Sequence, residues 1–161
     1  MMKHRIEVIE DRLIVGMKTQ TSVLTINEKT KQLAKLFMPR RHEVASRIGE
    51  HVFSIQDYGD NYSPTDFNSE FDKWVAVEVK DSNDLPEGMD SFIIKSGTYV
   101  VFSFKGSVSE FPKSRAYIFQ EWLPNSEYQL DPKAHFEILS ENYSKDLQNI
   151  EEDIWIPVRK K

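Results

Sequence analysis

The residues best suited to chemistry are one carboxylate and a set of aromatic rings. Glu137 lies in His135-Phe-Glu-Ile-Leu139, where period-two alternation puts it on one strand face with His135 and Leu139, opposite Phe136 and Ile138. On a solvated face such a residue has no special role, because Glu is rarely buried unpaired. At the bottom of a groove it would be partly desolvated. Its pKa would then rise, and it could pair with a cation or act as a base. The chain holds ten Phe, six Tyr and three Trp, several beside acids: Tyr58 between Asp57 and Asp60, Trp122 after Glu121, Trp155 after Asp153. Rings supply contact area and cation–π attraction, and a carboxylate neutralises charge, which together suit a flat, cationic or amphipathic molecule. The plainer reading of any one of these rings is core packing.

Other chemistries are excluded or unsupported. Without cysteine there is no disulfide scaffold, thiolate zinc site or Cys nucleophile. Phosphate-binding Gly-rich loops, Gly-x-Ser-x-Gly and His-Glu-x-x-His are absent. His4, His42, His51 and His135 show no ligand spacing, so no metal and no cofactor are expected. Acids outnumber bases, 26 to 21, for a net charge of −5. That balance argues against direct nucleic-acid binding, which needs clustered Lys and Arg. Arg40-Arg41 and Arg159-Lys160-Lys161 are short basic clusters that read as solvated. No stretch has signal-peptide or membrane-span character, so a cytoplasmic location is expected, and the sequons at Asn61–Ser63 and Asn142–Ser144 read as chance matches.

The elements that must position these residues follow from patterning. A chain of 161 residues fits one domain, 1–161. Arg5 to Thr21 alternates as one extended strand bent near Glu10–Asp11. Thr25 to Glu28 has capping-box spacing ahead of a helix with an apolar stripe at Leu33, Leu36 and Phe37, stopped by Pro39. His51–Tyr58 and Trp74–Lys80 are strands, with a polar loop over Asp57–Asp72 between them. Ser91–Lys95 and Thr98–Phe104 read as strand, turn, strand. A second capping-box spacing, Ser107 to Glu110, opens a helix bearing Phe111, Ile118, Phe119, Trp122 and Leu123 and ended by Pro124. Ala134–Leu139 and Asp153–Val158 are the last strands, with polar Asn142–Asn149 between. The order strand-helix-strand-strand therefore occurs twice, over about 5–80 and about 91–158. Two such units predict an α+β fold with one antiparallel sheet, both helices on one face, pseudo-twofold symmetry and a groove between the helices.

Several of these segments together resemble the GyrI-like effector-binding family, which also forms the sensor half of AraC-type and MerR-type multidrug regulators. The resemblance rests on Phe119-Gln-Glu-Trp122-Leu-Pro-Asn-Ser126-Glu-Tyr128, then His135-Phe-Glu137, then Ile154-Trp-Ile-Pro-Val158. Phe37-Met-Pro-Arg40, the strand ending at Tyr58, and Tyr99-Val-Val-Phe102 before Gly106 fit the same pattern, so coverage runs from about Arg5 to Val158. The resemblance implies a ligand groove between the helices with Glu137 in it and aromatic walls. Tyr58, Phe119 and Trp122 are the candidates, with Tyr99 and Trp155 after them. One departure stands out: the family often continues Phe-Glu-x-Tyr, and this chain has Leu139 at that place. That weakens a catalytic reading more than a binding one.

Three functions follow as expectations. The first is a stand-alone binding domain for amphipathic, cationic small organic molecules, in sensing or sequestration, with no room for its own DNA-binding domain before Arg5 or after Val158. The second is a hydrolase of reactive small molecules with Glu137 as general base. The third is an acidic inhibitor that binds a DNA-handling protein, as the resemblance also allows.

Overall fold

The computed structural model describes residues 2–139 and 149–161. The sequon at Asn142–Ser144 and most of the polar Asn142–Asn149 segment lie outside the described residues. The strands are β1 (His4–Ile9), β2 (Arg12–Thr21), β3 (Val52–Asp57), β4 (Phe71–Glu78), β5 (Asp90–Ile94), β6 (Gly97–Gly106), β7 (Tyr128–Leu130), β8 (His135–Leu139) and β9 (Ile150–Lys160). They form one antiparallel sheet in the order β1-β6-β9-β8-β3-β4-β2-β5, with β7 paired to β9. The order β6-β9-β8 mirrors β2-β4-β3, so the two strand-helix-strand-strand units meet at the β8–β3 pair, as the repeat predicts.

The Arg5–Thr21 segment is two strands rather than one bent strand. β1 pairs with β6 and β2 pairs with β4 and β5, near opposite ends of the sheet. Only Glu10 and Asp11 separate them. Three peptide steps reach roughly 10 Å, whereas six strand spacings in a flat sheet span roughly 29 Å. The sheet must therefore curl until its ends approach. β5 and β6 make the same jump in reverse, so Ser91–Phe104 is not a hairpin. The two crossings are tied where the Ser96 N–H donates to Asp11 Oδ1 at 2.7 Å.

The inside of the curl is a core built by the sheet alone: Ile14, Phe53, Ile55, Trp74, Tyr99, Val101, Phe136 and Trp155 with their neighbours. Register sets one row across seven strands, Arg5, Val101, Trp155, Phe136, Ile55, Trp74 and Lys18. Phe136 and Trp155 stack at 5.2 Å. The Arg12 guanidinium lies over the rings of Trp155 and Phe53 at 5.5 and 5.8 Å, where cation–π attraction compensates its partial desolvation.

The outer face carries the helices. α1 (Ile26–Phe37) buries Leu33 and Phe37 against Val15, Val75 and Val77, each worth about 1.5–3 kcal/mol of apolar burial. Leu36, the third member of the predicted stripe, points to solvent. The capping box does not form: Thr25 Oγ1 accepts from the Ser22 N–H instead, and pairs with Thr21 Oγ1. Pro39 falls in the 3-10 turn Met38–Glu43 that follows. α2 (Phe111–Ala116) begins after a 3-10 turn, Val108–Glu110, with Ser107 bonded to Ser109 rather than capping. It runs into a π-helical stretch, Tyr117–Trp122, and a last α turn, Leu123–Asn125. Pro124 thus lies inside the final turn rather than beyond it, and Ser126 Oγ closes the end by donating to the Leu123 carbonyl. α2 covers Val100, Phe102, Ile154 and Ile156. Among the described residues no helix is long and apolar enough to cross a membrane.

Candidate functional site

β3 and β8 form the middle of the sheet, between the strips that α1 and α2 cover. Their outward faces carry four polar residues beside Val52 and Leu139. Val52, Ser54 and Gln56 share a face on β3, and His135, Glu137 and Leu139 share it on β8. Pairing sets Ser54 opposite Glu137 and Gln56 opposite His135. On β4, Lys73 stands opposite Gln56, in phase with Val75 and Val77. On β9, Glu152 stands opposite Leu139, in phase with Ile150 and Ile154. Four strands thus converge polar side chains on one patch between the helices.

Glu137 is 8% exposed. Gln56 Nε2 donates to both of its oxygens, at 2.9 and 3.1 Å. Burial pushes the Glu137 carboxyl above its ordinary range, against the attraction of Lys73 and Arg115 and the Gln56 bond. Glu152, also buried, is pushed up to about 9 by burial first and then by the Glu137 charge. It is held as a neutral acid near neutral pH. Lys73 is buried, and its Nζ donates to Ser54 Oγ at 2.5 Å. Burial lowers its pKa, and the two carboxylates oppose that shift.

Aromatic rings pack against the His135 end of this patch. Tyr58 follows β3 and meets the His135 ring edge-on at 5.0 Å, Phe71 at 4.8 Å and Tyr62 at 4.7 Å. Phe119, in the π-helical stretch, lies over His135 at 6.2 Å, and the Arg115 guanidinium lies over Phe119 at 5.0 Å. Burial raises the Tyr58 phenol pKa, against the opposing charge of Arg115. His135 is depressed to about 3 by burial and by Arg115, so its ring is neutral.

Of the residues singled out from sequence, the structure brings Glu137, Tyr58 and Phe119 together around His135. It places the other three elsewhere. Trp122 packs on Phe102 at 5.2 Å, His4 at 5.1 Å and Tyr128 at 6.3 Å. Tyr99 and Trp155 have the opposite strand parity and lie inside the curl, Tyr99 donating its hydroxyl to the Lys95 carbonyl at 2.6 Å. Lys73, Gln56, Ser54, Glu152 and Arg115 are site residues that sequence reasoning missed. Phase sets Lys73 and Glu152 each on a stripe of buried β-branched residues, but phase alone does not separate them from an exposed strand end.

A curled antiparallel sheet with two flanking helices and a buried carboxylate between them defines an effector-binding architecture. The chain belongs to the GyrI-like small molecule binding domain family, which it matches over residues 2–159. It is 32% identical over 130 residues to the transcriptional regulator BrlR of Pseudomonas aeruginosa, covering 79% of this chain and 45% of the regulator. The chain thus spans about half the length of the curated relative it matches. Among solved structures, the EcmrR C-terminal domain superposes with a TM-score of 0.70 at 13% identity over 99% of both chains. SAV2435, solved bound to tetraphenylphosphonium, superposes with a TM-score of 0.68 at 15% identity over 98% of this chain and 94% of that one.

Proposed function

We propose that this domain binds amphipathic organic cations between α1 and α2, and that Glu137 meets the positive charge while Tyr58 and Phe119 contact the apolar body. The observation that carries this reading is the state of Glu137. It is a nearly buried carboxylate whose direct hydrogen-bond partner is an uncharged amide, set on the sheet between two helices and on the same strand face as His135, which Tyr58 and Phe119 contact. A buried carboxylate without a direct counter-ion is costly, and an incoming cation offsets that cost. A neighbour of the same fold carrying tetraphenylphosphonium supports the choice of ligand class. The regulator among its relatives supports sensing over turnover as the use of binding.

Calorimetric titration of the unmodified protein and Glu137→Gln tests this, with tetraphenylphosphonium as cation and triphenylphosphine oxide as its neutral counterpart. The expected result is at least about tenfold weaker cation binding in the variant, because a buried charge partner is removed. The neutral compound should bind both proteins alike. Equal cation affinity for the two proteins overturns the role of Glu137.

A further inference from the structure

We propose that Lys73 sets the charge selectivity of this site: its ammonium stands in for the ligand's cation while the site is empty, and gives up a proton when that cation enters. This inference rests on the cation-binding reading above and names the residue that opposes it.

Lys73 is 2% exposed and points to the helix side of the sheet, in phase with Val75 and Val77. Its Nζ donates to Ser54, which lies opposite Glu137 in the β3–β8 pair. An ammonium has three donors, and among the described residues Ser54 is its one hydrogen-bond acceptor and no direct ion pair reaches it. The charged groups that act on it come from two other elements, Glu137 on β8, which attracts it, and Arg115 on α2, which repels it, while Glu152 on β9 adds attraction only where it is ionised. The empty site therefore already contains a cation for Glu137, at a distance. A permanently charged ligand beside Glu137 would place two positive charges around that carboxylate in a desolvated patch, with Arg115 as a third nearby. Like charges in such surroundings repel far more than in water.

Lysine relieves this because a buried amine readily loses its proton, whereas arginine does not. In the exchange the ligand cation enters, the Lys73 N–H bond breaks, and the proton passes to buffer. The net charge of the site is unchanged, and no group is oxidised or reduced. The neutral amine keeps its contact with Ser54 by accepting from the hydroxyl, which can serve as donor or acceptor. A lone buried glutamate would bind cations more tightly, and Lys73 holds that affinity down.

Tetraphenylphosphonium is the right probe because it has no dissociable proton, so every proton released comes from the protein. Calorimetry at neutral pH in phosphate and in Tris, which differ in ionisation enthalpy, counts those protons. The expected count approaches one per probe bound, with affinity rising as pH rises by up to about tenfold per unit. Triphenylphosphine oxide should release none. In Lys73→Met the preference for the phosphonium over the oxide should rise at least about tenfold, and in Lys73→Arg it should fall by a similar factor. A merely structural lysine would weaken both ligands alike. The proton count on the unmodified protein needs no variant to fold, and its loss in Lys73→Met separates the lysine's proton from those of the Glu137 and Glu152 carboxyls. Saturable phosphonium binding without proton release, or an unchanged preference in Lys73→Met, overturns the role of Lys73 and leaves the cation reading standing. Absence of phosphonium binding to the unmodified protein overturns both.

Discussion

Gln56 reaches diagonally across the two central strands and holds both oxygens of Glu137, its Nε2 donating at 2.9 and 3.1 Å. Its own register partner is His135, so the amide spans two residues along β8 to do this. The bond lowers the carboxyl pKa against the larger upward push of burial. Gln56→Leu removes the donor and leaves the carboxylate unsolvated. Stability should fall by about 1–3 kcal/mol, and the Glu137 carboxyl should titrate at higher pH. Urea unfolding and carbon NMR of the Glu137 side chain measure the two effects. An unmoved titration would mean that the bond does not act on the carboxyl.

Glu152 and His135 give the stability opposite pH slopes. The Glu152 carboxyl is raised from 4.5 to about 9 in the fold. Its contribution is fully present below about 4.5 and is lost as pH climbs toward 9, at up to about 1.4 kcal/mol per pH unit. His135 is lowered from 6.5 to about 3. Its contribution is present above 6.5 and is lost as pH falls toward 3. Glu152→Gln stays neutral throughout, so its urea midpoint should exceed that of the unmodified protein at alkaline pH and converge with it near pH 4.5. Parallel midpoint curves for the two proteins from pH 4.5 to 9 would show that Glu152 is not held protonated in the fold.

The strand face of Glu137 and the twice-repeated element order are readable from the chain, because both depend on local alternation and spacing. Lys73 and Glu152 are not readable in the same way. From sequence, a charged residue in phase with Val75 or Ile154 looks like the exposed end of a strand. What makes each a site residue is pairing between strands far apart in the chain, which sets Ser54 opposite Glu137 and Leu139 opposite Glu152. The expected groove position of Trp155 fails for a related reason. Trp155 is one residue from Ile154, and that single step moves it from the helix side to the inside of the curl. The curl itself follows from β1 pairing with β6 instead of continuing into β2, and no local signal near Glu10 separates a bend from a change of partner.

Gly16 is where the sheet admits no side chain. It lies on β2 opposite Ala76 of β4, and a Cβ built there would collide with the Val75 carbonyl oxygen and lie 2.6 Å from Ala76 Cα. Those neighbours are backbone and cannot swing aside. Gly16→Ala should therefore cost about 1–3 kcal/mol through overpacking, despite the better strand propensity of alanine. A thermal melt decides it: a midpoint equal to or above that of the unmodified protein would mean that the β2–β4 pair spreads freely.

Tyr58 and Phe119 both contact His135, edge-on at 5.0 Å and stacked at 6.2 Å, and Trp122, only three residues beyond Phe119, faces Phe102 and His4 instead. The π-helical stretch that contains both Phe119 and Trp122 alters their angular separation from that of a regular α-helix. The three rings thus make a sharp test of where the ligand lies. Tyr58→Ala and Phe119→Ala should each weaken tetraphenylphosphonium binding by about tenfold, the scale of one stacked ring together with its cation–π share. Trp122→Phe keeps an aromatic ring on Phe102 and should leave the affinity within about twofold, although it lowers stability by about 1 kcal/mol. Calorimetry is the appropriate readout. Intrinsic fluorescence would report chiefly on Trp74 and Trp155 inside the curl and on Trp122 behind the helix. Strong loss of affinity in Trp122→Phe with none in Tyr58→Ala would move the ligand off Glu137 to the far side of α2. There, a surface depression of about 300 Å³ is lined by Tyr117, Glu121, Trp122, Asn125 and Ser126.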